Sequence, residues 1–279
     1  MRDIVKRLLK NRLAVVGAVI IIVFGFLALL APYISPYHPT HHFSLANKLQ
    51  PPSPLHRLGT DELGRDLLSR ILHGARISLL IGVVAVGIGL FIGAPIGAIS
   101  GYYRGVLDST VQRFVEILMA FPGILLAIVV VAVLGPGLWN AMVAVGVAFI
   151  PTYVRIIRGS VLELREREFV EAARAVGASH TRIIWRHIIP NCLAPIIVLS
   201  TLQMGSAILW AAGLGFLGLG AQPPTPEWGT MLGRSRMYIR VAPHVTTFPG
   251  LAIMLAVLGF NLFGDGLRDA LDPRLRGRL

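Results

Sequence analysis

Three glycines of this chain have a spacing that could support the binding of a dinucleotide cofactor. Gly213, Gly215 and Gly218 have the G-x-G-x-x-G spacing of a dinucleotide-binding turn. That turn requires a preceding strand and a following helix, whereas these glycines end an apolar stretch and run into "AQPPTP". The spacing therefore does not predict a cofactor site on this chain.

Histidines close together in "HPTHH" raise the question of a metal site. His38, His41 and His42 form a short tract of a composition that can bind metal ions. The surrounding prolines instead favour an extended, solvated connector: Pro32, Pro36, Pro39, Pro51, Pro52 and Pro54. No metal site is predicted. Cys192 is the only cysteine, which excludes intrachain disulfides and cysteine-based zinc motifs.

Lysines are too few and wrongly placed for ATP hydrolysis on this chain. The phosphate-binding loop G-x-x-x-x-G-K-[ST] needs a lysine directly after a glycine. The chain's lysines are Lys6, Lys10 and Lys48, and none follows a glycine. No Ser/His/Asp or Cys/His arrangement can be defended either, because the few polar residues are scattered among separate loops. We therefore expect no enzyme activity and no cofactor on this chain.

The composition is that of an integral membrane protein. Of the 279 residues, 54% are hydrophobic and 14% are charged, whereas soluble domains carry about 25% charged residues. The net charge of +12 could suggest nucleic acid. The basic residues lie in short segments between apolar runs, however, so their partner is expected to be the lipid bilayer and not a nucleic acid.

Six apolar stretches are long enough, or nearly so, to cross about 30 Å of hydrocarbon. Together they predict an all-α, polytopic protein with six transmembrane helices. The third and fourth stretches are joined by the "GPG" turn at Gly135–Gly137, which predicts a tight helical hairpin. The six stretches are Leu13–Ala31, Ile77–Ser100, Ile117–Leu134, Trp139–Ile157, Leu193–Leu219 and Thr247–Phe263. A further helix is expected at the membrane surface near Asp61 to Leu72.

The distribution of basic residues predicts the orientation. If the N-terminus is cytoplasmic, the inner segments hold 18 of the 26 Lys and Arg residues and the outer segments hold 8. This bias places both termini and the insert between the fourth and fifth stretches in the cytoplasm. The second stretch also carries Gly89, Gly93, Gly97 and Gly101 at steps of four, which puts them on one face where another helix can approach closely.

A charged insert at residues 158 to 191 interrupts the apolar stretches. Ser160 and Glu163 have capping-box spacing and predict a helix from Val161 to Val176. Gly177 is expected to have positive φ at the end of that helix, Ser179 to cap a second helix, and Pro190 to end it. On spacing alone, the insert could also be an interfacial helix that lies on lipid headgroups.

The insert resembles a known element of transport proteins. "EAARAVGASHTRIIWRHIIPN" is similar to the EAA loop of ABC-transporter permease subunits, and the matching residues are Glu171, Ala172, Ala173, Gly177 and Pro190. His187 lies where the superfamily usually has an aliphatic residue, but a histidine there is familiar in the peptide-transporter branch. "LGTDELGRDLLSRILHGARISL" (58–79), "GFLGLGAQPPTPEWGTML" (215–232) and "DGLRDALDPRLR" (265–276) resemble C-type permeases of dipeptide, oligopeptide and nickel systems.

The resemblance implies that this chain is one of several subunits of a transporter. The expected partners are a second homologous permease subunit, cytoplasmic ATP-binding subunits that hold ATP and Mg²⁺, and an extracytoplasmic solute-binding protein. Residues 1–75 are expected to form an N-terminal transmembrane anchor and connector, and residues 76–279 the permease domain. The EAA-type loop implies docking on the ATPase subunit, and the protein is expected in the inner or plasma membrane.

The function implied is ATP-driven import of di- or oligopeptides, with nickel or another small solute as the alternative. On the outer side, Glu227, Trp228, Arg234 and Arg236 are predicted to form the gate and the contact with the binding protein. A different class, an interfacial or intramembrane protein without an ATPase partner, is the competing hypothesis. An intramembrane enzyme would need polar residues inside the spans, and Gln203, Ser206 and Asn261 are too few and too weak.

Overall fold

The computed structural model describes residues 2–42 and 44–271, and within these ranges the protein is helical with no strand. A predicted match in the tail, residues 272–276, lies outside the described residues. Eleven α-helices occur in the described ranges: α1 (Arg2–Lys10), α2 (Arg12–Ile34), α3 (Leu67–Tyr103), α4 (Gly105–Met119), α5 (Gly123–Leu134), α6 (Leu138–Leu164), α7 (Glu168–Ala175), α8 (His180–Ile183), α9 (Leu193–Phe216), α10 (Trp228–Ser235) and α11 (His244–Leu271).

Five of the long helical segments are apolar enough to cross a membrane. They contain α2, α3, α6, α9 and α11. The predicted first, second, fourth and sixth stretches lie entirely within them, and the fifth extends three residues beyond the end of α9. The bent pair of α4 and α5 makes a sixth if it counts as one span. The all-α, polytopic architecture predicted from the sequence is therefore confirmed.

The third predicted span, Ile117–Leu134, is wrong as a single straight helix. The chain bends by 90° between α4 and α5, at residues 120–122. Pro122 has no backbone N–H, and its carbonyl accepts hydrogen bonds from the backbone N–H groups of Leu125 and Leu126, which start α5. The turn from α5 to α6 is tight, as predicted, and the Asn140 amide closes it by donating to the carbonyls of Leu134 (2.9 Å) and Gly135 (3.0 Å).

The predicted surface helix near Asp61 to Leu72 is also wrong. Residues 61–65 form a turn because the Asp61 carboxylate accepts hydrogen bonds from the backbone N–H groups of Leu63 and Arg65, both at 2.9 Å. Helix α3 begins only at Leu67, where Asp66 caps it by accepting from the backbone N–H of Ser69 at 2.8 Å. The second span therefore continues the helix that was expected to lie on the membrane.

The centre of the bundle is the contact between α3 and α6, and glycines make it close. The four glycines spaced by four in α3, Gly89, Gly93, Gly97 and Gly101, are buried and face α6. A Cβ at Gly93 would lie 2.6 Å from the Cβ of Tyr153 and 2.8 Å from the carbonyl of Ile150. The two helix backbones meet at a distance that side chains would prevent.

Candidate functional site

The central insert, defined here as residues 165–192, joins α6 to α9 through two short helices and a bend. The predicted capping box is wrong: α6 continues through Ser160, whose hydroxyl donates to the carbonyl of Ile156 at 3.2 Å, as serines inside helices do. The apolar face of α6 continues with it, because Ile157 and Val161 are buried. The first helix of the insert therefore begins only at Glu168, in α7.

The bend after α7 has the geometry that the sequence predicts. Gly177 has φ +77°, its backbone N–H donates to the Arg174 carbonyl at 2.9 Å, and the N–H of Ala178 donates to the Ala173 carbonyl at 3.0 Å. These two bonds make a Schellman motif, which ends a helix and satisfies its last carbonyls. The Ser179 hydroxyl then caps α8 by accepting from the Arg182 backbone N–H.

Pro190 does not end the second helix. The helical path runs from His180 to Phe216, first as α8, then as a π-helical turn at Ile184–Ile188 and a 3₁₀ turn at Ile189–Cys192, and then as α9. A π turn widens the helix at the point where a proline cannot donate a hydrogen bond, so the chain keeps its direction. The insert is therefore continuous with the fifth span.

The inner face of the insert rests on the bundle. Five of its apolar side chains are buried in one cluster: Val170, Ala173, Ile183, Ile184 and Ile188. They pack together with Ala98 and Tyr102 of α3 and Ile157 and Val161 of α6. The chain itself therefore covers this inner half of the insert.

Polar contacts fasten the same interface. The Tyr102 hydroxyl lies 2.8 Å from Nδ1 of His180, and the Arg165 guanidinium donates to the Tyr102 carbonyl at 2.6 Å. Arg104, which follows α3, forms an ion pair with Glu166 at 3.0 Å. The insert is therefore attached to the end of α3 by both apolar and polar contacts.

A second polar cluster joins three helices close to the insert. Both oxygens of the Asp108 carboxylate in α4 accept hydrogen bonds from the Arg158 guanidinium in α6, each at 2.6 Å. The Ser100 hydroxyl of α3 donates to the same carboxylate. These residues were not predicted from the sequence. The sequence feature that could have indicated an ion pair is that Asp108 is the only acidic residue between residues 67 and 115. Bidentate pairs of this kind fix orientation as well as distance.

The outer face of the insert is exposed and mixes apolar side chains with charged side chains of both signs. Of the residues named above for the EAA-type loop, Glu171, Ala172, Gly177 and Pro190 are exposed, His187 is half-buried and Ala173 is buried. Three large apolar side chains, those of Phe169, Val176 and Trp185, are exposed on the same insert. We call this set, with Glu171, the docking face. An exposed apolar patch with a polar rim is typical of a protein-binding surface.

Two of the four residues predicted for the outer gate and the binding-protein contact are buried in this structure. Glu227 is 2% exposed and Trp228 is 0% exposed. Glu227 caps α10 by accepting from the backbone N–H groups of Gly229 (2.7 Å) and Thr230 (2.8 Å). Burial raises the pKa of the Glu227 carboxyl above its ordinary value, outweighing these hydrogen bonds, which lower it. The Trp228 indole donates to the Ile71 carbonyl at 3.0 Å.

The other two predicted residues of this loop are exposed. Arg234 forms an ion pair with Glu62 at 3.0 Å, and Arg236 lies over the ring of Phe216. Glu62 belongs to a largely buried ionic cluster in which the Asp61 carboxylate pairs with Arg65 at 2.7 Å and with Arg70 at 3.2 Å. The cluster ties residues 61–65 to α3 and α10, so it stabilises this end of the bundle.

The histidine tract has no metal-binding geometry in the part of the chain that the structure describes. The rings of His38 and His41 stack with centroids 4.4 Å apart. Across residues 2–42 and 44–271, no group of three or more His, Cys, Asp or Glu side chains is placed to hold a metal ion.

Comparison with known proteins identifies this arrangement. Residues 93–277 match the family described as binding-protein-dependent transport system inner membrane component, and residues 1–52 match the N-terminal transmembrane domain of oligopeptide transport permease C. The dipeptide transport system permease protein DppC of Alkalihalophilus pseudofirmus is 52% identical over 277 residues, which cover 99% of this chain and 90% of that one. The glutathione transport system permease protein GsiD of Pectobacterium atrosepticum is 46% identical over 275 residues, which cover 99% and 91%.

A solved structure supports the fold. A chain of the inward-facing MetNI methionine ABC transporter superposes with a TM-score of 0.60 at 22% identity, covering 74% of this chain and 98% of that one. At this identity the likeness concerns the fold alone. The family match spans more than half of the chain, and the relatives match nearly all of it. The chain belongs to the family of binding-protein-dependent transport system inner membrane components.

Proposed function

We propose that this chain is one of two permease subunits of an ATP-driven importer of di- and oligopeptides, and that it forms half of the transmembrane pathway. ATP and Mg²⁺ are held by separate cytoplasmic ATP-binding subunits, and an extracytoplasmic solute-binding protein delivers the solute. The observation that carries the proposal is the docking face of Phe169, Glu171, Val176 and Trp185, which the chain leaves uncovered while it buries the opposite side of the insert.

The architecture of the insert suits the transfer of force. Its base packs on the ends of α3 and α6, and its chain continues into α6 on one side and α9 on the other. A push on the docking face therefore moves three spans together, because packed interfaces transmit displacement with little compression. ATP-driven closure of the two ATPase subunits would supply that push and open the pathway outward.

Charge supports the proposed orientation. The insert and both chain ends lie in segments that hold 18 of the 26 Lys and Arg residues. The positive-inside bias places these segments in the cytoplasm, where the ATPase subunits are, and places α10 on the opposite side. The proposed location is the inner or plasma membrane.

The names of the relatives favour peptides over nickel as the solute. One relative is a dipeptide permease and another is a glutathione permease, and glutathione is itself a peptide. No observation on the described residues favours nickel, so di- and oligopeptides are the proposed cargo.

Purification from native membranes in mild detergent tests the assembly. We expect a second six-span permease chain and an ATPase with a phosphate-binding lysine loop to co-purify with this chain. A reproducibly solitary chain would overturn the proposal and return the insert to the lipid-surface class. The co-purified complex, reconstituted with its binding protein, should then take up labelled dipeptide and not Ni²⁺ when ATP is supplied.

A matched pair of variants assigns the ATPase contact to the docking face. Val176 is 83% exposed on the insert, and Val241 is 80% exposed after α10, on the opposite side of the membrane in the proposed orientation. Val176→Asp should reduce the amount of ATPase that co-purifies, because it places a charge in an apolar contact, whereas Val241→Asp should leave it unchanged. Equal recovery of ATPase with both variants would show that the docking face is not the contact.

A further inference from the structure

The bend between α4 and α5 leaves irregular backbone at a depth where lipid cannot satisfy it. Helix α5 has 12 residues and is about 18 Å long, well short of about 30 Å of hydrocarbon. Its outer end is level with the end of α9, because the N–H of Gly137 donates to the Leu219 carbonyl at 3.3 Å. Its other end, Gly123, packs under the ring of Trp210, six residues before the end of α9. Residues 119–122 are therefore inside the membrane.

These residues are also exposed. Met119, Ala120, Phe121 and Pro122 all lie on the surface of the chain. Non-helical backbone at membrane depth is tolerated only where protein covers it or where it lines a water-filled cavity, since an unsatisfied polar group in lipid costs several kcal/mol. This side of the chain is therefore not a lipid-facing side.

A stripe of α9 runs beside the bend. Pro195, Val198, Leu202, Leu209 and Phe216 are spaced by three, four or seven residues and so lie on one face of the helix, which we call the α9 stripe. Helix α11 borders the stripe on one side, where Leu202 contacts Gly264, and the start of α5 borders it on the other, where Ile124 contacts Gly213. Leu209, in the middle, is 52% exposed.

Open cavities occur at both ends of the α9 stripe. The cavity beside the central insert has a volume of about 610 Å³ and lies between Val198 and Leu202 of the stripe, Ile156 of α6 and Arg268 of α11. The cavity at the opposite end has a volume of about 460 Å³ and is lined by Phe216 of the stripe together with Arg236 and Tyr238. Leu209 lies between the two cavities and lines neither of them.

A polar side chain faces the same region from α11. Asn261 is exposed and lies against Gly205 of α9, seven residues before Arg268 on the same face of α11. Exposed polar groups within membrane spans face a protein partner or water. In α2, by contrast, every exposed side chain from Leu13 to Leu30 is apolar, which is the pattern of a helix in contact with lipid.

We propose that the bend at residues 120–122, the α9 stripe and Asn261 form the wall that this chain contributes to the solute pathway, with the second permease subunit opposite. The proposal rests on the proposed function, because it needs that second subunit. The two cavities are then the inner and outer mouths of the pathway, and the contact of Leu209 with the opposite subunit closes it between strokes. The inner mouth adjoins the central insert, since Asn191 of the insert lines it too, so movement of the insert changes its width.

Cysteine accessibility in the complete transporter tests this wall. The native Cys192 is buried and is first replaced by serine. Single cysteines are then placed at Ala120 and Leu209 on the proposed wall, and at Val23 of α2 and Phe91 of α3 as exposed controls on other faces. Leu209 (52% exposed) and Val23 (47%) form a matched pair of apolar residues in the interior of their spans. The probe is a charged, membrane-impermeant methanethiosulfonate, which reacts with thiols that contact water.

We expect the cysteines at positions 120 and 209 to react at least tenfold faster than those at positions 23 and 91. We also expect their rates to change when ATP and vanadate trap the transporter. Rates at positions 120 and 209 as slow as the controls in both states would overturn the wall. Because the reaction is carried out on a complex already shown to contain the ATPase and the second permease, that result would leave the proposed function standing. Failure to obtain the complex would overturn both.

Discussion

Replacing Gly177 by alanine should weaken the binding of the ATPase subunits by about 5- to 30-fold. The residue has φ +77°, and no heavy atom lies within 4 Å of the position that a Cβ would occupy. The cost is therefore purely conformational: an L-residue in this left-handed region pays about 1–2 kcal/mol. If the insert must keep this bend to dock, that energy lowers the docking-competent fraction and the apparent affinity by the factor given.

Valine at this position should weaken ATPase binding more than alanine does, because a β-branched side chain at positive φ is a stronger outlier. Asparagine should weaken binding less than alanine does, because it tolerates the αL conformation. Transport should be lost in Gly177→Val while insertion into the membrane is intact. The control is Gly159→Ala: this glycine is exposed in α6, also has open space around it, and has helical backbone. Alanine there favours the helix by up to about 1 kcal/mol, so docking should not weaken.

The measurement is a titration of the solubilised permease pair with purified ATPase subunits, with membrane insertion scored separately. The order of affinity expected is wild type and Gly159→Ala, then Gly177→Asn, then Gly177→Ala, then Gly177→Val. Wild-type affinity and wild-type transport in both Gly177→Ala and Gly177→Val would refute the reasoning, since the bend would then be dispensable.

Three further outcomes are expected. Gly93→Ala should lower the free energy of unfolding by about 1–3 kcal/mol through overpacking against α6, and so lower the melting temperature of the purified complex. Gly87→Ala, where a Cβ would have open space, should not lower it. Equal melting temperatures for the two variants would contradict the close helix contact. Asp108→Asn and Arg158→Gln should show a coupling of about 1–3 kcal/mol in a double-mutant cycle read by thermal unfolding, and additive effects would show that the pair does not hold the helices. The raised pKa of Glu227 means that its buried neutral form stabilises the fold at low pH. That contribution is lost as the pH rises from the ordinary glutamate pKa of about 4.3 towards the raised value. The melting temperature of Glu227→Gln minus that of the wild type should therefore increase with pH. A difference that stays constant with pH would count against burial of the charge.

Apolar length was sufficient to predict most of the spans, because a helix is the favoured way to satisfy backbone groups in lipid. It could not show the bend at residues 120–122, since the sequence is nearly uniformly apolar from Ile117 to Leu134. Pro122 and Gly123 were the available signal. Proline is common both inside membrane helices and at their breaks, so the sequence alone does not distinguish the two cases; Pro95 and Pro151 lie inside α3 and α6.

The other features that the sequence did not predict depend on contacts between segments that are distant in the chain. Asp108 and Arg158 are 50 positions apart, and neither has a local pattern that names the other. At the outer end, Glu227 and Trp228 were predicted to form part of the gate and of the contact with a binding protein, and the loop "PPTPEWG" has no local pattern that indicates their burial. The structure folds that loop inward, since Gly74 of α3 leaves room for the Trp228 ring and Glu227 is used as a helix cap. By contrast, the bend at Gly177 is set by residues adjacent in sequence, and for that reason it was predictable.

The shortness of α5 constrains how the ribosome and translocon can build this protein. With 12 residues and a sharp bend before it, α5 released alone into lipid would expose the backbone of residues 120–122, and it is too short to hold a transmembrane position by itself. Helix α6 follows after only three residues, Gly135 to Gly137, and packs against α5 through Val131 and Ala144, among others. The two helices must therefore leave the translocon as one unit, and synthesis must reach the end of α6 before the third span is committed to the membrane.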